Sequence, residues 1–272
     1  MVAQHLADPR LACYSQTLQV TEEPAPTTES DGTSTALGLY VEQATSELVK
    51  VCWTERFGIG SWERWKSSVE KGDLDFIFTT WWPMLIHLRT LYLYLEDREW
   101  PLTLDMVRPI QGKHHEQLSH LRTVHIIGPN QQGFAFLELF SRIPSVTFLS
   151  ASHIDIDDPA IYPSVTGGYD SNIKHFSLDH CTIGTRHIVD LLEAVMPLQY
   201  FGYTEEWNQG DWLPVSDRTA LMDTLRNGST KSLTELDLEV HVSGGLRCGI
   251  PIGSLEGFEV LEDVTMNPSD FT

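Results

Sequence analysis

Apolar residues recur along this chain at positions 1, 4 and 6 of a short window, seven times over. The copies are Leu88-Leu91-Leu93, Leu121-Val124-Ile126, Ile143-Val146-Phe148, Ile173-Phe176-Leu178, Leu198-Phe201-Tyr203, Leu233-Leu236-Leu238 and Leu261-Val264-Met266. "TLQV", ending at Val20, supplies an eighth copy at the edge. Alternation between positions 4 and 6 predicts a short strand with one face buried. Between the strands the period lengthens. Ile188, Leu191, Leu192 and Val195 follow the spacing of a helix face behind Thr185 as N-cap. Leu221, Met222 and Leu225 do the same between Ser216 as N-cap and Gly228 as a closing glycine, with Asn227-Gly228-Ser229 read as the turn that ends the helix. "GFAFLELFSRI" is a third helical segment.

The anchors Leu91, Val124, Val146, Phe176, Phe201, Leu236 and Val264 stand 33, 22, 30, 25, 35 and 28 residues apart. One strand-plus-helix unit cannot bury its own apolar face, so copies at this spacing have to stack. The window at Ile173 continues to Cys181 at position 9 and Ile183 at position 11, the L-x-x-L-x-L-x-x-N/C-x-L pattern of leucine-rich repeats. The expected fold is α/β: an irregular leucine-rich-repeat solenoid, with a curved parallel sheet inside, helices outside and a helical N-terminal cap. The rival reading is a generic α/β protein with parallel strands. On the repeat reading Cys181 packs in the turn as a small hydrophobe, and Asp179 and His180 merely stand beside it.

Ahead of the repeats, residues 1–20 read as an edge strand or cap, and residues 21–36 ("TEEPAPTTESDGTSTA") as an acidic Pro/Ser/Thr-rich loop. Residues 37–83 carry helical patterns and dense aromatics, among them Trp53, Trp62, Trp65, Trp81 and Trp82. These read as a cap that closes the first repeat rather than as a ligand cage. Residues 84–272 hold the repeats. Together "LADPRLACYSQTLQV", "SWERWKSSVEKGDLDFIF" leading into "WWPMLIHLRTLYL", "LLEAVMPLQYFGY" and "GSLEGFEVLEDVTM" resemble fungal F-box/leucine-rich-repeat proteins. The resemblance leaves out the F-box itself, since no helix with an L-P-x-E-I-like opening is present. It implies the substrate-recognition part of a ubiquitin-ligase receptor, which would meet a cullin-ligase adaptor if an F-box is supplied elsewhere.

The formal charge of −20 suits neither nucleic acid nor an anionic membrane surface and favours a protein partner with a basic patch. No apolar run is long enough to span a bilayer, and no leader pattern opens the chain. Cys13, Cys52, Cys181 and Cys248 are scattered without CxxC pairing, the usage of a reduced intracellular protein, cytoplasmic or nuclear. The chemistry-bearing clusters are weak. "GKHHEQLSH", with His114, His115, Glu116 and His120, lacks the HExxH spacing of a zinc site. His180, Cys181 and His187 lack the third group and oxyanion donors of a Cys–His nucleophile. No phosphate loop and no G-x-S-x-G elbow occurs. No cofactor, metal or catalytic residue is therefore assigned, and a metal- or Cys-dependent hydrolase stands as an alternative, beside a structural or decoy remnant with no specific partner.

What remains is the sheet face that points away from the core. The flanking positions predict its lining as Thr90, Tyr92, Tyr94; Thr123, His125, Ile127; Ser145, Thr147, Leu149; His175, Ser177, Asp179; Tyr200, Gly202, Thr204; Glu235, Asp237, Glu239; and Asp263, Thr265, Asn267. Early copies offer aromatic, apolar and hydroxyl groups, and late copies carboxylates. The expected function is a non-enzymatic protein-interaction module. Its groove would use Tyr92, Tyr94, His125, Thr147, Ser177, Asp179, Tyr200, Glu235, Asp237, Glu239 and Asp263 to hold a basic residue beside a hydrophobic anchor. The bland counterpart is a merely solvated sheet face.

Overall fold

The computed structural model describes residues 16–20, 87–95, 118–128, 131–156, 171–207, 217–242 and 254–266. The expected acidic loop, aromatic cap and "GKHHE" cluster lie outside these residues, as do Cys13, Cys52, Cys248, Ser216 and Asn267. The chain divides into two compact units, Met1–Leu91 with Arg98–Leu121, and Tyr92–Asp97 with Arg122–Thr272. In the first, strand β1 (Thr17–Val20) is the anticipated edge copy. The amides of Arg89 and Thr90 both donate to the Gln16 carbonyl, at 2.7 and 2.9 Å, where β2 (Thr90–Tyr94) begins. Leu88, Leu91, Leu118 and Leu121 are buried there.

The second unit is α/β. Its strands run on from β2 as β3 (Thr123–Ile127), β4 (Phe148–Ser152), β6 (His175–Ile183), β7 (Tyr200–Trp207), β8 (Glu235–Val242) and β9 (Asp263–Met266), side by side in chain order. The two-residue strand β5 (Asp155–Ile156) pairs with the far end of β6. Pairing is parallel from β3 through β9. Each junction repeats one device, in which two successive amides donate to a single carbonyl one strand back. Thr147 and Phe148 use Arg122, Lys174 and His175 use Thr147, Gln199 and Tyr200 use Lys174, Thr234 and Glu235 use Gln199, and Glu262 and Asp263 use Thr234, all at 2.8 to 3.1 Å.

This ladder corrects one repeat. The third copy was expected as Ile143-Val146-Phe148, but the buried triplet is Val146-Leu149-Ala151. Phe148 pairs with His175 and points to the other face, half-buried, whereas Leu149 is fully buried. Anchors Val124, Leu149, Phe176, Phe201, Leu236 and Val264 then stand 25, 27, 25, 35 and 28 residues apart, a tighter rhythm than the ragged one read before. Every position-4 and position-6 residue from Val124 to Leu238 in this frame is at most 2% exposed. Burying a side chain of this size is worth about 1.5–3 kcal/mol, which is what fixes the register.

Helices α1 (Gln131–Ser141), α2 (Thr185–Val195) and α3 (Arg218–Ser229) fall where the longer period predicted them. Their apolar stripes are buried, with Ile188, Leu191, Leu192 and Val195 in α2 and Leu221, Met222 and Leu225 in α3. The caps differ from expectation. Gly184 precedes α2, and the Thr185 hydroxyl instead accepts the amide of Asp217. Asp217 caps α3, its carboxylate accepting the amides of Thr219 and Ala220 at 3.0 and 3.2 Å. Gly228 lies inside the last turn of α3 and does not end the helix, so Asn227 is helical as well. Ser229 then accepts the Leu198 amide at 3.0 Å, tying the end of α3 to the entrance of β7. Arg226 holds the segment before β9 by donating to the carbonyls of Ser254 and Glu256.

Candidate functional site

Strand alternation sends one set of side chains to the core and leaves the other in register across the opposite face. Three columns result. Phe148, His175, Tyr200, Glu235 and Asp263 form the first. His125, Ser150, Ser177, Gly202, Asp237 and Thr265 form the second; the third runs through Ile127, Ser152 and Asp179 and, past the register shift in β6, resumes with Thr204 and Glu239. Tyr92 and Tyr94 continue the surface on β2. Together most of these line a groove of about 490 Å³.

The rings in it are stacked one on the next. Tyr92 lies on His125, with centroids 4.4 Å apart and planes 6° from parallel. His125 meets Phe148 at 5.2 Å and a 50° tilt, and Phe148 stacks on His175 at 4.6 Å and 17°. His175 stacks on Tyr200 at 3.9 Å and 12°. The stack changes column between His125 and Phe148 because β4 places Ser150, not a ring, opposite His125. The Ser150 hydroxyl sits 2.7 Å from Nδ1 of that histidine. Such contacts between rings add about 0.5–1.5 kcal/mol beyond their buried area.

After Tyr200 the aromatics stop. The next residue in its column is Glu235, with Asp263 beyond, and Asp237, Glu239 and Asp179 stand alongside. Tyr200 reaches over Gly202, where an added Cβ would come within 2.5 Å of the phenol oxygen, so only a bare backbone leaves room for the ring. Burial raises the Tyr200 phenol, and the carboxylates of Asp237, Glu235 and Asp179 add to this, while Ser177 hydrogen-bonds it in the opposite sense. Burial also raises the carboxyl of Asp237, with repulsion from Glu239, Asp179 and Asp263 behind it. Its Oδ1 is buried without a hydrogen-bond partner. Desolvation lowers both His125 and His175, and Glu235 opposes it at His175. The groove thus holds rings at one end and a cluster of carboxylates at the other.

Of the predicted lining, Tyr92, Tyr94, His125, Ser177, Asp179, Tyr200 and Asp237 border the groove itself. Glu235, Glu239 and Asp263 stand in its columns at the acidic end. Thr147 does not belong. It precedes β4 and turns its hydroxyl to the Arg122 carbonyl at 3.4 Å, while its own carbonyl takes the Lys174 and His175 amides. Ser145 and Leu149 fall out of the lining with it, through the same one-residue shift of frame. Phe148 and Ser150 replace them. The signal that finds these two is the spacing of 25 residues from Val124 to Leu149, equal to that from Phe176 to Phe201.

The "DHC" triplet separates in three directions. Asp179 faces the groove, and Cys181 lies in the core with its thiol toward the carbonyls of Asp179 and Ala151, at 3.4 and 3.8 Å. His180 occupies a left-handed kink at φ +50°, stacked on His153, which has φ +59° one strand back. The kink marks the register shift between Leu178 and Cys181. Burial pushes the Cys181 thiol up to about 12. His187 stands apart in α2, buried edge-on against Phe134 at 5.3 Å. Among the described residues no group of three His, Cys, Asp or Glu side chains could hold a metal ion, and no helix is long and apolar enough to cross a membrane.

No protein-family model and no curated protein sequence matches the chain.

Proposed function

We propose that this chain is a leucine-rich solenoid acting as a non-enzymatic protein-interaction module, and that the groove is its docking surface. One observation carries the reading. A stack of five rings crosses successive strands and gives way, in register, to carboxylates. Nothing in core packing requires such a face, because the helices and the alternate strand residues complete the core without it. An aromatic floor that ends in a cluster of carboxylates complements a partner segment with a hydrophobic anchor beside a basic residue. The resemblance to fungal F-box proteins supports the narrower form of this proposal, in which the module is the substrate-recognition part of a ubiquitin-ligase receptor and a cullin-ligase adaptor belongs to the assembly.

The test is affinity capture on the whole chain and on Glu235→Lys/Asp237→Lys, followed by titration of the captured protein, purified, against both. The reading predicts a partner whose basic segment binds the native chain and loses at least tenfold with the double variant, at about 1.4 kcal/mol per tenfold. Equal binding by both removes the groove from the account. Recovery of the adaptor carries the receptor form of the proposal, and its consistent absence leaves a stand-alone binding module.

A further inference from the structure

Within that docking reading, on which this inference rests, the acidic end of the groove distinguishes one basic side chain from another. We infer that the exposed end of the ring stack, where Tyr200 meets Glu235 and Asp237, is a subsite for an arginine side chain of the partner, preferred over lysine. The planar guanidinium extends the stack as one more layer.

The geometry sets the requirement. Tyr200 is covered on one side by His175, at 3.9 Å and only 12° from parallel. On its other side the neighbouring strand places Glu235, not a ring, level with it. β8 puts Glu235 level with Tyr200 and Asp237 level with Gly202. A group entering here therefore meets a flat π face beside two carboxylates. A guanidinium satisfies both at once, lying flat on the phenol ring while its edge N–H groups donate to carboxylate oxygens. An ammonium gains the same charge attraction but has no plane to stack and keeps a tighter hydration shell. Asp237 adds an independent mark, since its Oδ1 is buried and without a hydrogen-bond donor. Buried acceptors without donors are rare, and a fork of N–H groups is what this one lacks. Gly202 completes the site, since a side chain there would meet the Tyr200 ring. Glu239, Asp179 and Asp263 repel the Asp237 carboxylate, so the incoming cation also relieves a cost already present in the free protein.

The experiment uses the whole chain and two probes, N-acetylarginine amide and N-acetyllysine amide. They are titrated at constant ionic strength and followed by amide NMR shifts at Gly202 and at Tyr203 to Thr204. The expected result is saturable shifts with arginine, about threefold or more tighter than with lysine. Tyr200→Phe retains the preference, and Tyr200→Leu brings arginine down to the lysine level. Asp237→Asn weakens both probes. Equal affinity of the two probes for the native chain overturns the arginine subsite while leaving an acidic docking groove in place. Absence of saturable shifts with either probe overturns the subsite and the docking reading together. The native-chain comparison needs no variant to fold, and Tyr200→Phe keeps the ring, so loss of structure cannot be mistaken for loss of the subsite.

Discussion

Cys181 is the member of the "DHC" triplet that lies in the core. It is fully buried, its thiol points at two carbonyls, and its pKa is pushed up to about 12 by burial above all. A thiol held protonated is a poor nucleophile. Native protein treated with a maleimide should leave Cys181 unlabelled in peptide mapping, and labelling should appear only with denaturant. Modification in the native fold would reopen the reading of "DHC" as chemistry. The two groove histidines give a second prediction. Both have folded values below their ordinary 6.5, so the unfolded chain takes up their protons first as the pH falls. Their contribution to stability is present above about pH 6.5 and is lost as the pH drops below it toward the folded values. The melting temperature should fall over that window, and the fall should be reduced in His125→Gln/His175→Gln. Asp237 runs in the opposite sense. Its value is raised above 3.8, so at neutral pH its charge opposes folding, and the native state is the better proton binder as the pH falls. Asp237→Asn should melt at the same temperature as the native protein or higher at pH 7 while binding basic ligands less well. A lower melting temperature would mean that the carboxylate is paired.

At the scale of the element, the fourth strand is the instructive one. Leu149 is in the core and Phe148 in the groove, the reverse of what the apolar pattern of "IPSVTFLSASHI" predicts. Leu149→Ala should destabilise by about 2–4 kcal/mol. Phe148→Ser should cost nearer the 0.5–1.5 kcal/mol of a lost ring contact, and should weaken ligand binding instead. Denaturant unfolding of the two variants separates the frames, and equal costs would restore the original one. The strands and helices were legible in the sequence because burial on one side leaves a period, two in β3 and β6, about 3.6 in α2. The frame of the third copy, at β4, was not legible by composition. Val146 serves equally as position 4 behind Ile143 or as position 1 ahead of Leu149, and Phe148 is more apolar than Ala151. The frame adopted is marked by the Thr147 and Phe148 amides sharing the Arg122 carbonyl, a backbone contact that no side-chain pattern reports. The cap of α2 was missed for a similar reason: Thr185 accepts from a residue 32 positions away. In the groove, Tyr92, His125, Tyr200 and Asp237 were found by alternation alone, but ring-on-ring contact was not, since it depends on rotamers.

For the molecule as a whole, the −20 charge and the local carboxylates act on different quantities. Long-range attraction sets how fast a basic partner arrives, and it is screened beyond about 8 Å at physiological salt. On the proposed docking reading, contacts inside the groove set how long a partner stays. Raising salt from 50 to 300 mM should therefore slow association of a basic partner several-fold and change dissociation far less, as measured by stopped-flow or surface-based kinetics. A dissociation rate that carries most of the salt effect would place the ion pairs on the exposed rim.

The shared-carbonyl junction repeated from strand to strand also makes the sheet a ruler. Because each copy docks on the last through the same contact, neighbouring rungs are separated by one inter-strand step of about 4.8 Å. From Tyr92 to Tyr200 there are four such steps, β2 to β3, β4, β6 and β7, or about 19 Å. An extended chain crossing the strands advances about 3.3 Å per residue, so a segment reaching from the first ring to the last is about six residues long. Gain or loss of a whole copy would lengthen or shorten that footprint by about one and a half residues, leaving the chemistry at its two ends unchanged.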